Sequence, residues 1–126
     1  LLIGDVALAH DIGGLIAARR LGLDVTIVVL NNDGGGIFHF LPVSGQRDAF
    51  EEHVATPTGL DFKRVAELFG LGYVAPESTE ELRAALAAAA GAGRTTLVHA
   101  RTDRARNVAL HREVWEAVAA AVRVAR

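Results

Sequence analysis

The fold of this chain is decided by the stretch Val25-Thr26-Ile27-Val28-Val29-Leu30-Asn31-Asn32-Asp33-Gly34-Gly35-Gly36. Its first half is a continuous apolar run rich in β-branched residues, which is the pattern of a parallel strand covered on both faces. Its second half has the polar, glycine-rich composition of a loop. Ligands of open α/β sheets bind beyond the carboxyl ends of the strands, so this loop is a candidate binding site.

A second strand end lies upstream, where the apolar run Leu1–Ile3 gives way to Gly4 and Asp5. Residues 6 to 31 separate Asp5 from Asn32, and this length accommodates one crossover helix and one buried strand. A right-handed strand–helix–strand unit brings two such strand ends side by side. One carboxylate, one amide oxygen and a glycine backbone then face the same small space, and hard oxygen ligands of this kind suit Mg²⁺.

The remainder of the chain alternates between helical and strand patterns. We predict strands over 1–4, 25–30, 73–75 and 95–101, and helices over 8–21, 62–69, 79–90 and 107–126. Asp61 is a predicted N-cap, and Ser78 forms a predicted capping box with Glu81. The alternation predicts an α/β fold with a doubly wound, mostly parallel sheet that carries helices on both faces.

Two segments after the glycine-rich loop have weaker patterns. Residues 37–41 are expected to form a short helical turn before Pro42. Residues 43–59 are polar, and we predict an irregular loop there. Loops of this length inside a compact domain are usually functional or mobile, so we expect the segment to order when the site fills.

Composition narrows the function classes. The 126 residues fit one domain, 1–126, and the net charge of −2 predicts no nucleic-acid partner. Cysteine is absent, which excludes disulfides and thiolate metal sites. The longest apolar runs fall short of a membrane span. The chain has no Met and opens on a strand, and we interpret it as the C-terminal fragment of a longer enzyme that lacks the first elements of its domain.

The spacing from Gly4-Asp5 to Asn31-Asn32 resembles the metal signature of thiamine diphosphate-dependent enzymes. Over the whole chain, further segments resemble one family of that class, the 2-succinyl-5-enolpyruvyl-6-hydroxy-3-cyclohexene-1-carboxylate synthases of menaquinone biosynthesis. These segments are His10–Leu15, Asn31–Phe38, Phe50-Glu51, Thr56–Asp61 and Leu110–Trp115. The resemblance implies that residues 1–126 form the diphosphate-binding domain of the thiamine diphosphate-binding fold.

The resemblance also implies roles for individual residues. Mg²⁺, or Mn²⁺, would be held by Asp5, Asn32 and the carbonyl of Gly34. Thiamine diphosphate would contact Gly4, Val6, Ala7, Gly34, Gly35 and Ile37. An apolar substrate wall would consist of Ile37, Phe38 and Leu41. Many relatives carry Ser or Thr at the position of Ala7, so this chain lacks one hydroxyl donor to the diphosphate.

The implied activity is that of a transferase, a carboligase that decarboxylates 2-oxoglutarate and adds the remaining unit to isochorismate. No catalytic residue is expected in this chain, because in the family the activating glutamate comes from another domain. The implied partners are upstream pyrimidine-binding and central domains, in a cytoplasmic homodimer or homotetramer. We therefore predict that the isolated chain is inactive.

Other interpretations stay open at this point. A different thiamine diphosphate enzyme, of the acetolactate synthase or 2-oxoacid decarboxylase type, would keep Asp5 and Asn32 but change the wall. A non-catalytic α/β binding or assembly domain would use Asp5 as a helix cap, Asn32 as a turn residue and the wall residues as core. His99 is expected to be a satisfied core or edge histidine. His10 matches a family position near the cofactor, and no role is assigned to it.

Overall fold

The structure, a computed structural model, describes residues 1–124. Four parallel strands form one sheet in the order β1-β2-β4-β3. The strands are β1 (Leu2–Gly4), β2 (Thr26–Asn31), β3 (Gly72–Val74) and β4 (Thr96–Arg101). β2 and β4 are central and pair from Thr26 with Thr96 to Asn31 with Arg101. The predicted parallel sheet is confirmed, and each predicted strand lies within one residue of the observed boundaries at either end.

Helical elements connect and follow the strands. The α-helices are α1 (Asp5–Asp11), α2 (Leu15–Arg20), α3 (Arg47–Phe50), α4 (Phe62–Phe69), α5 (Thr79–Ala89) and α6 (Arg104–Val124). Short 3-10 turns cover Ile12–Gly14, Gly36–Phe40 and Pro42–Gly45, and a π-helical turn covers Glu51–Ala55. Within residues 1–124, none of these helices combines the length and the apolar character that crossing a membrane requires.

Helices cover both faces of the sheet, as predicted. Side chains alternate between the two faces along each strand. On one face, α1, α2 and α4 pack on β2 and β4 through a core formed by Leu8, Leu15, Ile27, Val29, Phe62, Val65, Ala66 and Leu97. On the other face, α5 packs through Ala85 and Ala89 against Val98. The two faces therefore share the central strands whose carboxyl ends carry the candidate site.

The two N-caps predicted from sequence are present. The Asp61 carboxylate accepts hydrogen bonds from the backbone N–H groups of Lys63 and Arg64 at the start of α4. Ser78 Oγ accepts one from Glu81 N at the start of α5, and the Glu81 carboxylate accepts one from Glu77 N. The bonds accepted by Asp61 and Ser78 satisfy first-turn donors that have no partner within the helix.

Two predicted helices differ from the structure by more than one residue within the described part of the chain. The helix predicted over 8–21 begins at Asp5 and is split by the 3-10 turn Ile12–Gly14, since two adjacent glycines weaken an α-helix. α6 begins at Arg104 rather than at residue 107, because Asp103 Oδ1 accepts a hydrogen bond from Arg106 N and caps the helix. The last two residues of that predicted helix, 125–126, lie outside the described residues.

The prediction of an irregular loop over 43–59 is wrong for most of the segment. It contains part of one 3-10 turn, α3 and the π-helical turn. Phe50 and Ala55 are buried there and anchor these turns. Thr56 ends the π-helical turn with a positive φ of 45°, and its N–H donates to Glu51 O. The expected mobility of the segment stays a prediction.

Candidate metal and cofactor site

Asp5 lies where β1 gives way to α1, and its side chain reaches the glycine-rich loop. The residue is 2% exposed, and Oδ2 accepts a hydrogen bond of 2.7 Å from Gly34 N. The N-cap of α1 is Gly4, which makes no side-chain cap. The Asp5 carboxylate therefore bonds to the loop that follows β2 and does not cap its own helix. We call residues 31–36 the metal loop.

Asn32 carries the most informative polar atom of the metal loop. Its Oδ1 is buried and has no hydrogen-bond partner among the described residues. Buried side-chain oxygens are nearly always hydrogen-bonded, so an orphan acceptor needs an explanation. A Cβ on Gly36 would lie 2.3 Å from Asn32 Nδ2, so glycine at 36 makes room for this amide.

Gly34 and Gly35 bring the metal loop against the π-helical turn. Gly34 has φ of 123°, and a Cβ there would lie 2.4 Å from the carbonyl oxygen of Ala55. Gly35 N donates to that same oxygen at 2.7 Å. Sequence reasoning missed this contact of Ala55 with the metal loop. Ala55 contributes a backbone carbonyl, which leaves no signal in the side-chain pattern.

These groups fit a small hard cation. Gly4 pairs with Leu30, so Asp5 and the metal loop emerge from neighbouring positions at one edge of the sheet. Residues 1–124 contain no cluster of three or more His, Cys, Asp or Glu that would hold a metal. A cation at this edge would depend on one carboxylate, the orphan amide oxygen and a loop carbonyl. Mg²⁺ accepts such a set because it keeps several waters or phosphate oxygens.

The predicted diphosphate contacts lie in the first turn of α1. Val6 and Ala7 follow the N-cap Gly4 there, and backbone N–H groups of a first turn have no acceptor within the helix. Ala7 is exposed and brings no hydroxyl group. Direct contacts from this turn would therefore come from the backbone.

The predicted substrate wall is open to solvent. Ile37, Phe38 and Leu41 are 73%, 39% and 49% exposed, which argues against the alternative that they are core residues. Phe38 lies against Gly35, where a Cβ would approach its ring to 2.7 Å. The wall forms one side of an apolar groove of about 390 Å³.

α6 supplies the other side of this groove through His111 and Trp115. The ring of Phe40 lies 5.3 Å from that of His111 and 5.6 Å from that of Trp115 between centroids. Arg104, at the start of α6, forms an ion pair of 3.0 Å with Glu51 in the π-helical turn. The closing helix thus contacts two elements next to the site, and sequence reasoning gave it no such role.

His99 is a satisfied core histidine, as predicted. It is 4% exposed, and its two ring nitrogens lie 2.9 Å from Asn31 Nδ2 and 2.9 Å from the Tyr73 hydroxyl. Burial lowers the pKa of His99 and the Arg101 charge lowers it further, while Asp61 and Asp5 act in the opposite direction. Burial also raises the pKa of Tyr73. His10 is exposed in the last turn of α1.

Comparisons with known proteins identify the family and the fold of the chain. The profile of the family described as "Thiamine pyrophosphate enzyme, C-terminal TPP binding domain" matches residues 1–100. The 2-succinyl-5-enolpyruvyl-6-hydroxy-3-cyclohexene-1-carboxylate synthase of Rubrobacter xylanophilus is 50% identical over 119 residues, which cover 94% of this chain and 20% of the relative. The synthase of the same name from Bacillus velezensis is 43% identical over 117 residues, 93% of this chain and 20% of the relative. The chain spans about a fifth of the length of the curated relatives it matches.

Solved structures show the same fold. A thiamine diphosphate-dependent 4-hydroxybenzoylformate decarboxylase from Rhodococcus jostii RHA1 matches with a TM-score of 0.69 and 28% identity, over 81% of this chain and 19% of that protein. The benzoylformate decarboxylase of Polynucleobacter necessarius matches with a TM-score of 0.67 over 82% of this chain and 19% of that protein. Its 21% identity supports the fold alone.

Proposed function

The chain belongs to the thiamine pyrophosphate enzymes and contains their C-terminal cofactor-binding domain. On that premise, we propose that it is part of a 2-succinyl-5-enolpyruvyl-6-hydroxy-3-cyclohexene-1-carboxylate synthase. Curated relatives of that name, at 42–50% identity over most of the chain, support the assignment. The proposed reaction joins decarboxylated 2-oxoglutarate to isochorismate. In it, this chain supplies the half of the site that binds the metal and the diphosphate.

The observation that carries the proposal is the arrangement of Asp5, Asn32 and Gly34. The carboxylate is buried and tied to the loop, and the Asn32 oxygen is buried with no protein partner among the described residues. Asp5, Asn32 and the Gly34 carbonyl would hold Mg²⁺ or Mn²⁺, with diphosphate oxygens as further ligands. The hydrogen bond to Gly34 N orients the Asp5 carboxylate before any ligand binds.

Thiamine diphosphate, when bound, supplies the electron sink that decarboxylation of a 2-oxo acid requires. The chain contributes binding and orientation. Backbone N–H groups of Val6 and Ala7 would receive the diphosphate, and Gly4, Gly34 and Gly35 would contact the cofactor through their backbones. Ile37, Phe38 and Leu41 would face the reacting carbon and exclude water from it.

The rest of the site would come from other domains. The groups with assigned roles in this chain bind the metal, bind phosphate or form an apolar wall, and none is placed to activate the cofactor. We assign the activating glutamate to an upstream pyrimidine-binding domain of a second subunit in a cytoplasmic homodimer or homotetramer, with a central domain between. The open substrate wall supports this division, because water reaches it from the exposed side.

The test uses the enzyme that carries this chain together with its other domains. Asp5→Ala should abolish Mg²⁺-dependent binding of thiamine diphosphate measured by titration calorimetry, because the buried ligand is lost. Asp11→Ala, at the exposed end of the same helix, is the matched control and should bind as the wild type does. Unchanged affinity in Asp5→Ala would contradict the metal assignment. Product analysis with 2-oxoglutarate and isochorismate separates this synthase from a simple 2-oxo acid decarboxylase.

A further inference from the structure

We propose that Asn31, His99 and Tyr73 form a hydrogen-bonded relay that positions the metal loop, and that they act on the metal site without touching the metal. The relay starts one residue before the proposed ligand Asn32 and crosses the sheet from β2 through β4 to β3. This inference rests on the proposed function, because it holds that these three residues influence the affinity of the proposed metal site.

The first link fixes the orientation of the Asn31 amide. Asn31 Oδ1 accepts a hydrogen bond of 2.9 Å from Asp33 N. Asp33 has φ of 62°, a left-handed conformation that a residue other than glycine holds only with local support. The Asn31 oxygen provides that support. The same bond leaves the NH₂ group of Asn31 to face His99.

The second link fixes the tautomer of His99. An amide NH₂ group only donates, so His99 Nε2, at 2.9 Å from Asn31 Nδ2, must accept and carry no proton. A neutral ring then has its proton on Nδ1. That N–H donates to the Tyr73 hydroxyl oxygen at 2.9 Å. Each bond of the relay is therefore donated in one direction, from the metal loop through Asn31 and His99 to the Tyr73 oxygen.

His99 is buried next to an aromatic side chain, which offers its ring nitrogens no alternative hydrogen-bond partner. The ring of Phe62 lies with its centroid 5.1 Å from that of His99, and Phe62 is 1% exposed. Without the Tyr73 oxygen, the Nδ1–H group would be a buried donor with no partner, and a shift of the proton to Nε2 would set it against the Asn31 NH₂ group. Because an unpartnered buried donor is costly, the proton shift is favoured, and it would displace the Asn31 amide that supports Asp33. Loss of an outer partner of a metal site typically lowers metal affinity about 10- to 100-fold.

The variant that tests the relay is Tyr73→Phe, which removes one hydroxyl and keeps the ring. Thr95→Val is the matched control, because it also removes one hydroxyl group. Thr95 is buried, lies just before β4 at the end of that strand away from the site, and its Oγ1 donates to Leu23 O at 2.7 Å. In the enzyme carrying this chain, titration calorimetry with Mg²⁺ and thiamine diphosphate should show affinity about tenfold lower or more for Tyr73→Phe. Thr95→Val should bind as the wild type does.

A second measurement does not depend on the bound cofactor. In the ligand-free enzyme that carries this chain, labelled with ¹⁵N-histidine, the His99 Nδ1 resonance should be that of a protonated nitrogen and Nε2 that of an unprotonated one. Tyr73→Phe should mix the two tautomers. An Nε2–H tautomer in the wild type would overturn the relay. So would equal affinities of Tyr73→Phe and Thr95→Val in an enzyme where Asp5→Ala abolishes binding, whereas unchanged binding in Asp5→Ala would instead contradict the proposed function.

Discussion

Replacing Gly36 by alanine is expected to damage the metal site while leaving the fold intact. Gly36 opens the 3-10 turn Gly36–Phe40 and has no positive φ, so its backbone accepts an alanine. The obstacle is a side chain. The new Cβ would lie 2.3 Å from Asn32 Nδ2 and 3.0 Å from Asn32 Cγ, whereas ordinary contacts begin at 3.4 Å.

The size of the effect follows from that overlap. The Asn32 amide has to withdraw by about 1 Å to restore normal van der Waals contact. Mg²⁺ holds its ligands at roughly 2.0–2.1 Å in strict geometry, so a shift of this size removes Oδ1 from coordination. We therefore expect affinity for Mg²⁺ with thiamine diphosphate to fall at least tenfold, since removing even an outer partner costs about that much.

The assay compares Gly36→Ala with Gly45→Ala in the enzyme that carries this chain. Gly45 also lies in a 3-10 turn, has no positive φ, and a Cβ there meets nothing within 4 Å. The control should bind as the wild type does and be as stable or slightly more stable, because alanine restricts the unfolded chain. If calorimetry gave Gly36→Ala an affinity within about twofold of the wild type, the metal role of Asn32 inferred from its orphan oxygen would be refuted.

Four further predictions follow from the structure. Trp115→Ala removes the ring that lies against Phe40 and should loosen the substrate wall. It should therefore raise KM for the acceptor substrate more than it lowers kcat. Trp115→Phe, which keeps an aromatic ring, should restore most of the lost affinity. Hydrogen exchange within 43–59 should slow when cofactor and substrate are added, and equal exchange would count against ordering of that segment. Because the pKa of His99 is lowered on folding, the stability that its neutral form contributes is complete above about pH 6.5 and is lost as pH falls toward the lowered pKa. Urea unfolding between pH 7.5 and 5.5 should show this slope in the wild type and a smaller one in His99→Asn. The isolated chain should release no carbon dioxide from 2-oxoglutarate above a protein-free control, even with Mg²⁺ and thiamine diphosphate present.

The sequence predicts the fold well where a local pattern determines structure. The β-branched run of β2 and the side-chain caps Asp61 and Ser78 are local features, and the structure contains each of them. The start of α1 was misplaced because Asp5 looked like the end of a strand. In the structure Asp5 begins the helix but directs its carboxylate elsewhere.

The parts of the site that could not be predicted depend on contacts between distant segments. The Ala55 carbonyl that accepts from Gly35 N belongs to a turn whose position follows from the burial of Phe50 and Ala55, and a carbonyl has no residue signature. The contact of His99 with Asn31 and Tyr73 requires the strand order β2-β4-β3, which hydrophobic periodicity alone does not fix. Sequence reasoning left His99 as a core or edge histidine, and only the fold provides its partners.

The proposed site has a metal-binding half and a substrate-binding half, and this chain preorganises only the first. The metal half is preorganised, because Asp5 is buried and bonded to Gly34 and the metal loop is held by Ala55 and Asn31. The substrate wall is not, since water reaches its side chains. An apolar wall excludes water from a reacting carbon only when a second surface closes over it. Binding of metal and diphosphate and protection of the reaction are therefore separable in this fold, and variants in the metal loop should change the first before they change the second.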